Sequence, residues 1–249
     1  MSANIDYVLL SHQTSADRQF AVLTGNLSLA LLPGAQQNKL YFQQHIDSQS
    51  KNPLSFVAER GTYRNLATGD VTSTGNALDF AIIGQGYFKV LTPEGVRYGR
   101  NGRCHMGPNR EVMVGIDGIL LKDDDSPLTI PLGKSIEDLH VSPDLAISMG
   151  DQYDGKLGVV RFENEQNMTY VKYRHLYETK DEALPPFDEE GKMMVEVQQG
   201  SFEKANVSSS TVLFSYMQTQ RNYTAIDEFA KKRHKSELDT VNAWLKVNA

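Results

Sequence analysis

The chain has 249 residues, 40% of them hydrophobic and 22% charged. That is enough apolar material for one large domain or two smaller ones, and it excludes a disordered tail. The net charge of −6 argues against a nucleic-acid partner, and a single cysteine, Cys104, excludes an intramolecular disulfide. The charge is uneven. Residues 1–121 carry ten Lys and Arg against nine Asp and Glu, residues 122–200 eight against seventeen, and residues 201–249 seven against five. The acid sits in the middle, which suits a solvated outer surface, and the near-neutral ends can approach similar ends without strong repulsion.

The opening residues, Met1 to Tyr7, lack the basic, apolar and small-residue segments of a cleaved signal peptide. No stretch approaches the ~18 consecutive apolar residues of a membrane helix, so no span is expected. Residues 4–31 contain no proline and only Gly25. Their apolar positions Ala16, Phe20, Leu23, Leu27 and Ala30 are spaced in steps of 4, 3, 4 and 3, which is a heptad seam on a helix. Extended backward, the seam reaches Leu9 only through His12 or Gln13. Pro33-Gly34 ends the helix.

The middle of the chain predicts short antiparallel strands separated by turns. Asp79–Ile83 leads through Gly84-Gln85-Gly86 into Tyr87–Val90. Val96–Tyr98, Val112–Val114 and Ile119–Leu121 follow turns at Pro93-Glu94-Gly95, Pro108-Asn109-Arg110 and Asp117-Gly118. Leu157–Phe162 and Met193–Val197 read as further strands, and 180–191 as an exposed loop.

A second long helix is predicted over 207–248, with Ser208, Ser209 or Ser210 as its N-cap. Val212, Tyr216, Thr219, Tyr223, Ile226 and Ala230 form its seam. Beyond Ala230 the pattern slips to His234, Leu238, Val241 and Leu245, a stutter that locally unwinds a supercoil. About 40 residues would span roughly 60 Å, and so narrow a stripe on so long a helix needs a partner. Ordinary core packing also produces such stripes, but here two lie at opposite ends of the chain. Bringing them together makes the β region an insertion between two helices.

The chemistry-bearing residues give no strong site. Gly84-Gln85-Gly86 lacks the third glycine and following helix of a dinucleotide fingerprint, so it reads as a turn. Asp123-Asp124-Asp125 is not spaced as a calcium loop. Cys104-His105 has no second pair at metal-ligand spacing. Arg97, Arg100, Arg103 and Arg110 are expected to meet carboxylates of this chain or a neighbour. No cofactor or metal is expected.

Specific residues carry a resemblance. Thr74-Gly75-Asn76-Ala77-Leu78-Asp79-Phe80-Ala81-Ile82-Ile83-Gly84-Gln85-Gly86-Tyr87-Phe88-Lys89-Val90 resembles the T-G-N-x-L-D-x-A-I-x-G-x-G-F/Y-F-x-V stretch of flagellar axial proteins, the rod and hook proteins. Tyr98-Gly99-Arg100-Asn101-Gly102 is similar to their Y-T-R-N/D-G, and Asp117-Gly118-Ile119 falls at their D-G-x-P. Gln199 to Val207 resembles Q-G-x-L-E-x-S-N-V, with Asn206 at its asparagine. Met217-Gln218-Thr219-Gln220-Arg221-Asn222-Tyr223 resembles I-x-T-Q-R-A-Y. Length and Gly61-Thr62-Tyr63-Arg64-Asn65, similar to G-T-Y-R-D, favour the proximal rod type, with the distal rod type as alternative.

The resemblance implies an α+β fold: N- and C-terminal helices forming a coiled-coil layer, with an inserted antiparallel β-rich domain. The expected parts are an N-terminal helix in 1–34, an extended or β connector in 35–75, a β-rich outer domain in 76–200 and a C-terminal helix in 201–249. It implies a non-enzymatic, torque-transmitting subunit of a helical array in the periplasmic rod of the bacterial flagellum. Its partners would be copies of itself, other proximal and distal rod subunits, and the type III export apparatus that exports it without signal cleavage. The seam residues above would be subunit-interface positions. One departure is notable: where the family has asparagines after the first helix, this chain has Leu29-Ala30-Leu31-Leu32. That apolar patch, Leu31 included, suits burial against another subunit. Two other readings remain open: a soluble β-domain binding module dimerised by its helices, and an enzyme built around Cys104 and a histidine.

Overall fold

The computed structural model describes residues 2–47, 54–171, 175–188 and 190–247. It is α+β, with a helix at each end of an antiparallel β-rich region. By contact the chain divides into two compact units. One comprises residues 1–27, 38–63 and 208–249; the other comprises 28–37 and 64–207.

The first unit holds α1 (Ser2–Leu29), the paired strands β1 (Asn38–Asp47) and β2 (Leu54–Arg64), and α2 (Ser209–Val247). α1 ends two residues before the predicted boundary. Leu32 N–H donates to Leu29 O and Ala35 N–H to Leu32 O, so the chain turns out of the helix. Gly34 follows at φ +66, where a Cβ would lie 2.3 Å from the Arg100 carbonyl carbon; no other residue fits that approach. α2 starts at Ser209, two residues after the predicted 207, and its cap is one of the three predicted serines. Ser208 is its cap: its carbonyl accepts from Val212 N–H at 3.0 Å and its hydroxyl from Thr211 N–H at 3.4 Å. The predicted final helix position, 248, lies outside the described residues. Asn26, buried within this unit, clamps β1: its amide donates to Asn38 O at 2.7 Å and accepts from Asn38 N–H at 2.8 Å.

The second unit is built from β3 (Val71–Ser73), β4 (Phe80–Gly84), β5 (Tyr87–Thr92), β6 (Gly95–Gly99), β7 (Cys104–Met106), β8 (Val112–Val114) and β9 (Gly118–Leu120). Then come β10 (Leu139–Val141), β11 (Ala146–Met149), β12 (Gln152–Lys156), β13 (Val159–Val160), β14 (Thr169–Val171), β15 (Leu176–Glu178), β16 (Val195–Gln199) and β17 (Ser201–Glu203). The largest sheet runs β14-β15-β6-β5-β9-β8-β7, with β13 added on β5. β10-β11-β12 form a meander, β16 pairs with β4 and β17 with β3.

The apolar run around residue 88 has a structural reason. Phe88 packs with Phe80, Ile82, Val90, Leu120, Ile147 and Val195 in the main core. Its neighbour Tyr87, pointing to the other face, packs with Val160, Phe162, Met168 and Tyr177 in a second core. β5 is therefore buried on both faces at Tyr87 and Phe88, whereas further along Lys89 and Leu91, on the Tyr87 face, are only half-buried. The predicted strand 157–162 is shorter than expected. Only Val159–Val160 pairs along β5, while Leu157 and Arg161 make single bridges to Lys122 and Leu184. The predicted loop 180–191 is mostly exposed, though Leu184 and Phe187 each make a bridge; Glu189 lies outside the described residues.

Candidate subunit interface

In the helical unit, the two seams meet at one cluster. The Phe20 ring sits between Tyr216 and Tyr223, with centroids 5.0 and 6.1 Å away. These tilted and edge-on geometries suit aromatic pairs. The Thr219 hydroxyl, one turn from each tyrosine, reaches Gln19 Oε1 at 3.2 Å. Ala16, Val212 and Thr219 are buried, and Leu23, Ala30, Tyr223, Ile226 and Ala230 are half-buried. This portion of the seam is thus turned, at least in part, toward its own chain.

Other seam positions remain open. Leu27 and Tyr216 are each more than a third exposed, and Leu238, Val241 and Leu245 keep about half of their surface. Of the apolar patch after α1, Leu29 is buried while Leu31 projects with 85% of its surface exposed. Sequence spacing did not single out a second apolar group on α2: Leu213, Phe214 and Met217, all exposed. The signal was present, since Leu213 and Met217 are four residues apart and so share a helix face.

The motif residues of the β unit do structural work. Thr74 donates through its hydroxyl to Asp79 Oδ2 at 2.6 Å, and the Asn76 amide donates to Asp79 Oδ1 at 3.2 Å while accepting from Leu78 N–H. Gly75, at φ +72, completes this turn. The turn is tied to the corner between β16 and β17: Thr74 and Gly75 N–H donate to Gly200 O, and Gly200 N–H donates to Asp79 O. Leu78 is buried in the main core.

Arg100 is the second fixed point. Its guanidinium and the Glu203 carboxylate are each 3% exposed and pair at 2.7 Å. The remaining donors meet Gly84 O at 3.0 Å, Gly86 O at 2.8 Å and Ile82 O at 3.3 Å. Glu203 Oε1 also accepts from Gly69 N–H at 2.7 Å. Burial raises the Glu203 carboxyl above its ordinary range, and Arg100 opposes that shift. Gly84-Gln85-Gly86 therefore presents carbonyls to an arginine. Gly84 itself takes φ +103, and a Cβ there would lie 2.6 Å from Met194 O. At Gly86 a Cβ would press on the Val195 and Val159 methyls at 3.1 to 3.2 Å.

Asn206 is the third. Its side chain accepts from Gln37 N–H at 2.7 Å and donates to Asn65 O at 2.8 Å and Ala67 O at 2.6 Å, while its own N–H donates to Ala35 O. One amide joins three chain segments. Arg64, from the Gly61–Asn65 motif, is buried against the Tyr177 ring at 4.2 Å and donates to Gln36, which bonds Tyr87. Tyr87 in turn donates to Glu165 at 2.6 Å; burial, and then the Glu165 charge, hold its phenol protonated well above the ordinary range.

Of the four clustered arginines, two meet carboxylates of this chain, Arg97 with Glu178 and Arg100 with Glu203. Arg103 instead lies over the Phe202 ring and Arg110 donates to the carbonyls of Ile130, Pro131 and Lys134. Cys104 is buried and donates to Gly102 O, with burial raising its thiol above the ordinary range, while the adjacent His105 is exposed. Asp124 caps Ser126 in a turn, and Asp125 pairs with Lys89. Among the described residues no group of three or more His, Cys, Asp or Glu could hold a metal ion, and no helix is long and apolar enough to cross a membrane. Gln218, Gln220 and Arg221 stand exposed on α2.

The comparisons agree with the motif resemblance. The chain is 26% identical over 98% of its length, and 99% of the relative's, to the flagellar basal-body rod protein FlgF of Caulobacter vibrioides. It is 27% identical, with 87% and 88% coverage, to FlgF of Mesorhizobium japonicum. The flagellar basal-body rod protein FlgG of Buchnera aphidicola is 24% identical, with 81% and 85% coverage. No family model matches the chain.

Proposed function

We propose that this chain, a relative of the flagellar basal-body rod proteins, is itself a structural subunit of the rod, of the proximal type. The observation that supports it best is the near end-to-end similarity to FlgF, together with a β unit whose motif residues Asp79, Arg100 and Asn206 hold that unit together. The role is structural: the exposed apolar faces of α1 and α2 carry assembly, copies and other rod subunits join in a helical array, and the array transmits torque across the periplasm. The near-neutral helical ends can approach similar ends without strong repulsion, and the acidic middle suits a solvated surface. Export would proceed through the flagellar type III apparatus without signal cleavage. Similarity to FlgG keeps the distal rod as the second reading.

The test is replacement of the chromosomal copy by Tyr223→Asp or Ile226→Asp. The expected outcome is a chain that is exported and folded in its β unit but absent from purified basal bodies, with motility lost. Normal motility and normal rod incorporation of both variants would overturn the seam. Absence of the unaltered chain from basal bodies would overturn the rod reading itself.

A further inference from the structure

A polar cleft opens at one end of the largest sheet, where β14 begins and β15 ends. Thr169 on β14 lies opposite Glu178 on β15, and Glu178 pairs with Arg97 of β6 at 3.0 Å. Tyr177 and Tyr98, next to them on the same strands, pack in the second core, so strand alternation turns Glu178 and Arg97 to the opposite face. The chain leaving β15 forms the wall. Asp181 N–H donates to Thr179 Oγ1 at 3.0 Å, and the Asn167 amide reaches Asp181 Oδ2 at 3.5 Å. These residues and Lys180 border a cleft of about 450 Å³, a size within the range of small-molecule sites.

The lining chemistry narrows the ligand. It holds two cations, Arg97 and Lys180, and two carboxylates, Glu178 and Asp181, and the rest are hydroxyl and amide side chains. A phosphate would meet both carboxylates and a divalent cation both fixed positive charges, which disfavours each. Among the described residues no apolar side chain lines the cleft, which excludes an apolar ligand, and no aromatic ring is there for a sugar to stack on. The charges are also only partly spent on one another. Glu178 keeps 48% of its side chain exposed, and among the described residues Arg97 Nε has no hydrogen-bond partner and Lys180 no ion-pair partner. We propose that this cleft binds a small zwitterion of amino-acid or dipeptide size, with its carboxylate on Lys180 and Arg97 and its ammonium on Glu178 and Asp181. A ligand that carries both charges and no net charge matches all four groups at once and leaves none of them desolvated without a partner. Partly exposed charge pairs are individually weak, so binding is in the millimolar range and weakens as salt is raised. The cleft lies wholly within the β unit, so the proposal is independent of the rod reading.

The test is a titration of the isotope-labelled full chain with alanine and with alanyl-alanine, read from the backbone amide resonances. Saturable shifts centred on residues 167–169 and 178–181 are expected with at least one of the two. Two capped forms isolate the charges. N-acetyl-alanyl-alanine lacks the ammonium and alanyl-alanine amide lacks the carboxylate, and each is expected to bind about fivefold more weakly than alanyl-alanine. The same loss is expected for alanyl-alanine on Lys180→Gln and on Asp181→Asn chains. Both side chains are exposed, so the melting temperature should stay unchanged and lost binding is not lost folding. No saturable shift with either probe would overturn the proposal and leave the charges as surface ion pairs only. Equal binding of the capped and uncapped dipeptides would overturn it as well. So would glucose or inorganic phosphate moving the same resonances as strongly as the dipeptide, in favour of a sugar or an anion site.

Discussion

The two units of this molecule handle their unsatisfied groups in opposite ways. The β unit turns inward: Asp79, Arg100, Glu203 and Asn206 each find several partners within it, and its large apolar side chains fill two cores. The helical unit turns outward: α2 exposes Leu213, Phe214, Met217, Phe229, Leu238, Val241 and Trp244 to solvent. A unit whose polar and apolar groups are satisfied within it needs no neighbour to hold its shape. A unit that leaves apolar surface uncovered has its energy minimum in an assembly. The contrast teaches that residues with familiar chemistry can be entirely architectural, while the surface left open is a plain apolar stripe.

The largest effect that would sharpen this contrast is at the buried ion pair. Glu203→Ala leaves the Arg100 guanidinium without its charge partner, and removal of one member of such a pair costs about 3–5 kcal/mol. Chemical denaturation monitored in the β unit should show it; a loss under about 1 kcal/mol would mean that the carbonyls of Ile82, Gly84 and Gly86 alone satisfy Arg100. Asn206→Ala strips partners from Gln37, Asn65 and Ala67, and about 2–3 kcal/mol is expected, because each deprived backbone group costs of order 1 kcal/mol. Gly84→Ala combines a positive φ with a clash on Met194 O, and about 1–3 kcal/mol is expected in the same measurement. The smallest change in stability belongs to the helical unit. Val241→Ala should stay within about 0.5 kcal/mol, as exposed substitutions do. Amide exchange draws the same line without mutation. On the free chain, residues 232–247 should exchange far faster than β4, β5 and β16, and equal protection would erase the distinction drawn between the units.

Much of this was readable from residues in order. Turn signals such as Pro93-Glu94-Gly95 and Asp117-Gly118 marked the hairpins of β5, β6, β8 and β9, and the terminal helices followed from proline-free runs with a heptad seam. The meander β10-β11-β12 escaped because its strands are only three to five residues long, although Ser142-Pro143-Asp144 before Leu145 and Gly150-Asp151 are turn signals at its two corners, where Leu145 and Gly150 take positive φ. The pairing of β1 and β2 escaped because Asn38–Asp47 carries Gln43, Gln44, His45 and Asp47 without clear alternation. For the candidate interface, the seam positions were visible but not which of them the chain covers itself. That depends on Phe20 reaching residues 216 and 223, a contact no local pattern encodes. The roles of Arg64 and Asn206 were invisible for the same reason, their partners being as much as 169 residues away.

Asn206 also bears on how the molecule ages. Its amide is used from both sides, accepting at oxygen and donating twice at nitrogen. Hydrolysis of that amide, with water entering and ammonia leaving, would set a carboxylate against the Asn65 and Ala67 carbonyl oxygens and turn two attractions into repulsions. Asparagine is among the thermally labile residues. The integrity of this corner of the β unit is then tied to the chemical persistence of a single carbon–nitrogen bond.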